Sequence, residues 1–191
     1  RTTSNLGWLY DRKGDYYAAV FHTRRALSVL QKVLELAHPW TVEAANQLFK
    51  LAGKLRDRKD IGQAAELYRV LLSTCERMVE DARERSAEVL SRVAICHNEL
   101  AFHVDVPAGN WKDAEDHYRK AKDILSKIRL PIETANVEIN LQTLFYRSGQ
   151  GIDVERIRDA TRILEEAKDQ RVRKGEELLR TVLEKRSSKG E

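Results

Sequence analysis

Small residues recur at matching places in three successive stretches of this chain, and few architectures can use them. Ala19, Ala64 and Ala114 each stand in a run with helical spacing, and the steps between them are 45 and 50 residues. Each has a small counterpart in the run before it: Gly7, Ala52 and Ala101. Two helices approach closely only where a side chain is small, so each couple marks a pair of antiparallel helices in contact. Larger residues return around them: Leu6, Tyr10, Leu51, Leu55, Tyr68, Leu100 and Tyr118. These fill the space between one pair and the next, and each contributes about 1.5–3 kcal/mol when fully buried. A chain built this way packs each unit on its neighbours and needs no single round core.

The pattern predicts helices at about 2–12, 16–36, 41–58, 60–80, 82–103, 111–128 and 132–146. A last helix starts near Asp153, a good N-cap, and runs to about Arg186 with Gly175 as a candidate interruption. Gly14-Asp15 turns the chain after the first helix. His38-Pro39 ends the second, because the residue before proline is pushed out of the helical region. Asp60 opens the fourth helix and Pro131 the seventh, and Ser148-Gly149-Gln150-Gly151 is a turn. Val104–Asn110 breaks the periodicity and reads as a loop. The expected organisation is a repeat region, 1–151, with units at about 2–36, 41–80, 82–129 and 132–151 onward. A long C-terminal helix and capping segment, 152–191, follows. The fourth unit is degenerate, since Val154 or Ile157 stands where the small residue belongs.

The totals exclude several classes. Hydrophobic residues make up 42% of the 191 and charged residues 34%, too apolar for a disordered chain and too charged for a membrane-embedded one. No run of apolar residues is long enough for a transmembrane helix, and no secretory signal is visible. The charge of +4 is a small surplus of 34 basic over 30 acidic residues, so it gives no argument for nucleic acid. Cys75 and Cys96 lie among apolar neighbours and read as buried thiols, pointing to an intracellular, reducing compartment, cytoplasmic by default. The chain starts at Arg1 inside a repeat, so it reads as part of a longer protein.

Two stretches carry a recognisable spelling. In the first, Asn5-Leu6-Gly7-Trp8-Leu9-Tyr10 is followed by Gly14-Asp15-Tyr16, Ala19 and Ala26-Leu27. In the second, Leu48, Leu51-Ala52 and Leu55 are followed by Ala64, Tyr68 and Leu71-Leu72. The chain resembles a tetratricopeptide-repeat protein over about residues 3–121. The joint Leu34-Glu35-Leu36-Ala37-His38-Pro39 is similar to that of the long-unit repeats of kinesin light chains. Thr23 stands where that family usually has an aromatic, and Val104–Asn110 is an insertion. The resemblance implies an all-α fold: a right-handed superhelical array of antiparallel helix pairs, a TPR-like solenoid with a C-terminal capping helix. It also implies a concave groove, lined by the first helix of every unit, in which a peptide lies. Matching positions are Asn5, Trp8 and Arg12 in the first unit, and Asn46, Lys50 and Arg56 in the second. The third gives Asn98 and Phe102, the fourth Asn136, Asn140 and Arg147.

The residue types add a reason of their own. Asparagine is a poor interior helix residue because its amide competes for backbone hydrogen bonds. Five of them on first helices suit a surface that clamps an extended backbone with one donor and one acceptor, or else a solvated helix face. The histidines, His22, His38, His97, His103 and His117, lack the short-spaced pairing of a metal site. Gly149-Gln150-Gly151 lacks the lysine of a phosphate loop. Glu165-Glu166 and Glu176-Glu177 sit among lysines and arginines, as salt-bridged helix surfaces do. Neither catalysis nor a cofactor nor a metal is expected. The basic tail, Arg171, Arg173, Lys174, Arg180, Lys185, Arg186 and Lys189, is interleaved with acid and carries the stripe Ile157, Leu164, Leu178, Val182 and Leu183, so it reads as a capping helix. The expected function is a non-enzymatic protein-protein interaction module, an adaptor or scaffold that takes a partner protein or peptide in the groove. The alternative is a structural arm of a larger assembly using convex or edge surfaces; nucleic acid ranks below both, and no small-molecule substrate is expected.

Overall fold

The computed structural model describes residues 2–34, 36, 38–80 and 86–189, with side chains from Asn5 to Lys185 among them. The described residues hold helices and no strand. The chain divides into two compact units, 1–104 and 105–191.

The first unit contains α1 (Thr2–Lys13), α2 (Tyr16–Val33), α3 (Pro39–Asp57), α4 (Ile61–Glu80) and α5 (Ala87–Leu100). Each helix packs on the next, and α1 also touches α3. Local chemistry sets the ends. Asp15 caps α2 by accepting from the Ala18 N–H, and Asp60 accepts from the Gln63 N–H at the start of α4. Pro39 stands in the first turn of α3, where its missing N–H costs nothing. So His38-Pro39 begins the third helix as much as it limits the second, and α2 already ends at Val33. The expected extension of α2 to Leu36 and the expected start of α5 at Ala82 meet residues outside the described set, Glu35, Ala37 and 81–85.

The interior of this unit is Leu48, Leu51, Ala52, Leu55, Leu67, Tyr68 and Leu71, all buried with Ala19 and Ala64. Gly7 shows why α1 needs a small residue. A Cβ there would stand 2.2 Å from the Thr23 Oγ1. Thr23, buried where an aromatic was expected, therefore works with Gly7: the pair is shaped as a glycine hollow filled by a hydroxyl.

Lateral bonds measure the repeat. Asp11 of α1 pairs with Lys54 of α3 at 2.5 Å, and Arg56 of α3 with Glu99 of α5 at 2.8 Å, both across 43 residues. Tyr17, Arg24 and Gln31 of α2 reach Asp60, Glu66 and Thr74 at steps of 43, 42 and 43. First helices thus run beside first helices, and second beside second.

After α5 the helix does not stop at a loop. Ala101–Asp105 forms a π-helical turn and α6 (Val106–Ala108) one further turn. The break expected at Val104–Asn110 is confined to Gly109-Asn110. Gly109 takes a left-handed conformation, φ 75°, and its N–H returns to the Val106 carbonyl.

The second unit holds α7 (Trp111–Lys127), α8 (Pro131–Ser148), α9 (Val154–Glu166) and α10 (Val172–Lys189). The single C-terminal helix expected from Asp153 to Arg186 is two helices. Lys168 at φ 53° turns the chain between them, and Asp169 caps the restart by accepting from the Arg171 N–H at 2.9 Å. Gly175 is no interruption. It lies inside α10, where a Cβ would meet the Thr161 Oγ1 at 2.3 Å and the Ile139 Cδ1 at 3.0 Å. It does for α10 on α9 what Gly7 does for α1 on α2. Ala135, Ile139, Ile157, Ala160, Leu164, Leu178 and Val182 form the core here. A buried polar chain ties three helices. Lys122 of α7 pairs with Glu138 of α8, Gln142 donates to Glu138 at 2.8 Å, and the Asp153 N–H at the start of α9 donates to Gln142 at 3.0 Å.

Candidate partner-binding groove

The first unit has an open groove of about 790 Å³ between α1 and α3. Its walls include Asn5, Trp8 and Asp11 from α1, and Trp40, Glu43, Asn46, Gln47 and Lys50 from α3. Asn5, Trp8, Asn46 and Lys50, four residues proposed from sequence, therefore share one cavity. Trp40, Glu43 and Gln47 were missed, although Glu43 and Gln47 each stand three residues before Asn46 and Lys50 on α3, and Trp40 three before Glu43, so following that face along the helix finds them. Asp11 gave no signal before its lateral partner was known.

The groove presents two tryptophans with large exposed faces, Trp8 and Trp40. The Arg12 guanidinium stacks over Trp8 at 4.8 Å, holding the ring at the rim. His38 meets Trp40 edge-on at 5.1 Å. Asp11 is neutralised by Lys54. That leaves Glu43 and Lys50, both exposed and seven positions apart on one helix face.

Two side-chain amides of the lining, Asn46 and Gln47, have unused capacity. The Asn46 Oδ1 and the Gln47 Nε2 are both buried and neither has a hydrogen-bond partner. One is an acceptor and the other a donor, and a buried amide atom left unpaired costs about 1–3 kcal/mol. The Gln47 amide lies 3.4 Å from the position a Gly7 Cβ would occupy, so the glycine also leaves room beside it.

The other sequence candidates lie elsewhere. Arg56 is spent on Glu99 and Asp57. Asn98 is half-buried on α5, and Phe102 is exposed in the π-helical turn with its ring edge-on to His103 at 4.8 Å. In the second unit Asn136 is half-buried and Arg147 exposed. Asn140 is buried and accepts from the Lys174 ammonium of α10. Burial pushes the Lys174 pKa down to about 8, and the nearby Arg147 charge adds to the shift. Arg171, just before α10, likewise takes Glu133 at 2.7 Å. The face of α8 that carries Asn140 is thus covered by α10.

Cys75 and Cys96 are free and buried, and burial pushes both thiols up, Cys75 to about 11. Among the described residues no cluster of histidine, cysteine, aspartate or glutamate could hold a metal ion, and no helix is long and apolar enough to cross a membrane.

No family model and no curated protein matches the chain. Two solved structures are similar. One is the apo form of RapI, with a TM-score of 0.70 and 16% identity over 95% of this chain and 47% of that one. The other is BtubC (BKLC) from P. vanneervenii, with a TM-score of 0.52 and 19% identity over 98% of this chain and 80% of that one. The chain spans about half the length of RapI. The likeness is one of fold: an all-α, tetratricopeptide-like helical-repeat architecture, as the residue pattern requires.

Proposed function

We propose that this chain is a non-enzymatic protein-interaction module that holds an extended peptide segment of a partner in the groove between α1 and α3. The carrying observation is the pair of unpartnered amide atoms, Asn46 Oδ1 and Gln47 Nε2, on two residues that line a cavity shared with Trp8 and Trp40. A peptide bond offers one N–H and one C=O, the complement of that acceptor and donor. Both atoms are enclosed by protein, so each amide must turn outward to meet the bound backbone. The tryptophans give apolar contact on either side, and tryptophan is a favoured anchor where peptides dock. Lys50 and Glu43 select the order of charge along the peptide, an acidic residue beside Lys50 and a basic one beside Glu43. The resemblance to tetratricopeptide repeats, and within them to the long units of kinesin light chains, supports the same surface.

Selection of a displayed random-peptide library on the intact chain tests this. Selected peptides should lose at least about tenfold in affinity for the Asn46→Ala, Lys50→Ala double variant, a loss of about 1.4 kcal/mol. Peptides that bind the variant as well as the parent would remove the groove from the account.

A further inference from the structure

We infer that the cleft where α7, α8 and α9 meet is a binding site for an aliphatic carboxylic acid. The cleft measures about 550 Å³ and shares no residue with the groove between α1 and α3. Its walls are three consecutive helices of the second unit, so what adjoins either end of the sequence does not enter into its shape. Its apolar surface comes from Leu130 and Pro131 at the turn from α7 to α8, Ala135 of α8, and Ala160 and Ile163 of α9. Small-molecule sites have this size and this make-up, mostly apolar walls with a few placed polar groups.

The first unit shows why a cleft opens here. There the second helices of neighbouring pairs, α2 and α4, are joined by Arg24 with Glu66 and by Gln31 with Thr74. Ala19 and Ala114 are 95 residues apart, and the capping residues Asp60 and Asp153 are 93 apart. By those steps Arg24 and Gln31 correspond to Arg119 and Ser126 of α7. Glu66 and Thr74 correspond to Asp159 of α9 and Ala167 at its end. The charges are kept, but each is used within its own helix. Arg119 pairs with Glu115 at 2.7 Å, and Asp159 with Arg162 at 3.2 Å. Ala167 has no side-chain group to bond Ser126. Where α2 and α4 are tied together, α7 and α9 leave an apolar space.

The polar groups name the occupant. The Thr134 hydroxyl of the lining donates to the Leu130 carbonyl, and Glu138 accepts from Gln142 and pairs with Lys122. So these groups do not answer the repeating N–H and C=O of an extended peptide. Arg156 pairs with Asp153, and Asp159 is held by Arg162. Arg129 is exposed, and among the described residues its guanidinium has no ion-pair partner. Its backbone is fixed: the Arg129 N–H returns to the Ser126 carbonyl at 3.2 Å and the Leu130 N–H to the Leu125 carbonyl at 3.0 Å. The Ser126 hydroxyl, also of the lining, is a further donor. The lining carries three cations, Lys122, Arg129 and Arg156, against two acids, Glu138 and Asp159, so its surplus charge is positive. A guanidinium matches a carboxylate with two parallel N–H donors. A hydrocarbon chain on the aliphatic walls and a carboxylate on Arg129 uses both features at once.

The probe is decanoate, kept below the concentration at which it forms micelles, titrated into the intact chain by isothermal calorimetry. Decanoate should bind, and decylamine, with the same chain and the opposite charge, should not. From hexanoate through octanoate to decanoate, affinity should rise about threefold with each methylene buried. Arg129→Gln should cost decanoate at least about tenfold and leave the weaker binding of decanol unchanged. Ile163→Glu, which sets a charge in the apolar wall, should abolish binding of the acid. If Ile163→Glu lowers the melting temperature, Arg129→Gln alone decides, at an exposed turn residue. The groove variant Asn46→Ala, Lys50→Ala should bind decanoate as the parent does, and Arg129→Gln should keep the groove peptides, so the two sites fail separately. Failure of decanoate to bind, equal binding of decanoate and decylamine, or indifference to Arg129→Gln would overturn the proposal. So would loss of decanoate binding in the groove variant, which would move the acid to the groove.

Discussion

Asn46 and Asn140 both stand on first helices of their pairs, yet one lines a groove and the other is covered. Asn46 in α3 faces a groove of about 790 Å³ with its Oδ1 unpaired. Asn140 in α8 is covered by α10 and accepts from Lys174. The units differ in step as well. Lateral bonds in the first span 42 or 43 residues, those from α8 to α10 and the turn before it span 34 and 38. The last helix pair is shorter, and the helix that follows it lies against α8 with Lys174 on Asn140. An asparagine on a first helix is therefore a binding group or a structural one according to what lies beside it, not according to its place in the repeat.

Substitutions can break or sharpen this contrast. The largest effect belongs to the closed unit. Glu138→Ala removes the centre of the buried chain from Lys122 to Asp153, and a broken buried ion pair costs about 3 kcal/mol. Its counterpart in the open unit, Glu66→Ala, removes an exposed pair worth less than about 1 kcal/mol. Urea denaturation of the two variants should separate them clearly; equal midpoints would mean the two units are held in the same way. The glycine hollows come next. Gly7→Ala and Gly175→Ala both press a methyl onto a threonine hydroxyl, for about 1–3 kcal/mol, offset in part by a gain in helix propensity of about 1 kcal/mol. Gly175→Ala should cost more, because Ile139 also stands at 3.0 Å there while the next atoms at Gly7 are 3.4 Å away.

Lys174 gives the closed unit a pH dependence. Its proton is held less tightly folded, pKa about 8, than at the ordinary 10.5. Below about 8 both states are protonated and the fold carries the full cost of burying the charge. Between about 8 and 10.5 only the unfolded chain is protonated, so stability rises with pH. Relative to Lys174→Met, the parent should gain melting temperature across that window; a flat difference would show that α10 leaves Lys174 solvated. The smallest effect is in the open unit. Asn46→Ala with Lys50→Ala should move stability within about 0.5 kcal/mol, whereas Asn140→Ala, which strips a buried acceptor from Lys174, should exceed it.

Much of the fold was legible because the small residues carried it. Gly7, Ala52 and Ala64 sit buried at their helices' contacts, and Pro131, Gly149 and Asp153 set helix ends as their chemistry demands. Val104–Asn110 misled because Pro107 and Gly109 look like a loop, while the proline sits in a first helical turn and only the glycine breaks the helix. Gly175 misled for a related reason: periodicity does not distinguish a glycine that ends a helix from one that lets two helices meet. For the groove, sequence gathered Asn5, Trp8, Asn46 and Lys50 but put Asn140 beside them in kind. Covering by α10 depends on the turn at Lys168, a non-glycine residue at positive φ, which leaves no mark in the residue pattern.

The side-chain amide resonances of Asn46 and Gln47 test the central claim most directly. Peptides selected on the intact chain would be titrated into isotope-labelled protein and followed by nuclear magnetic resonance. Both amide groups should shift with peptide saturation, and the Gln47 NH₂ should become protected from solvent exchange as it takes a partner, while Asn140 stays unmoved. Peptide that binds while the Asn46 and Gln47 amides keep their free positions would contradict the account, whatever the affinity.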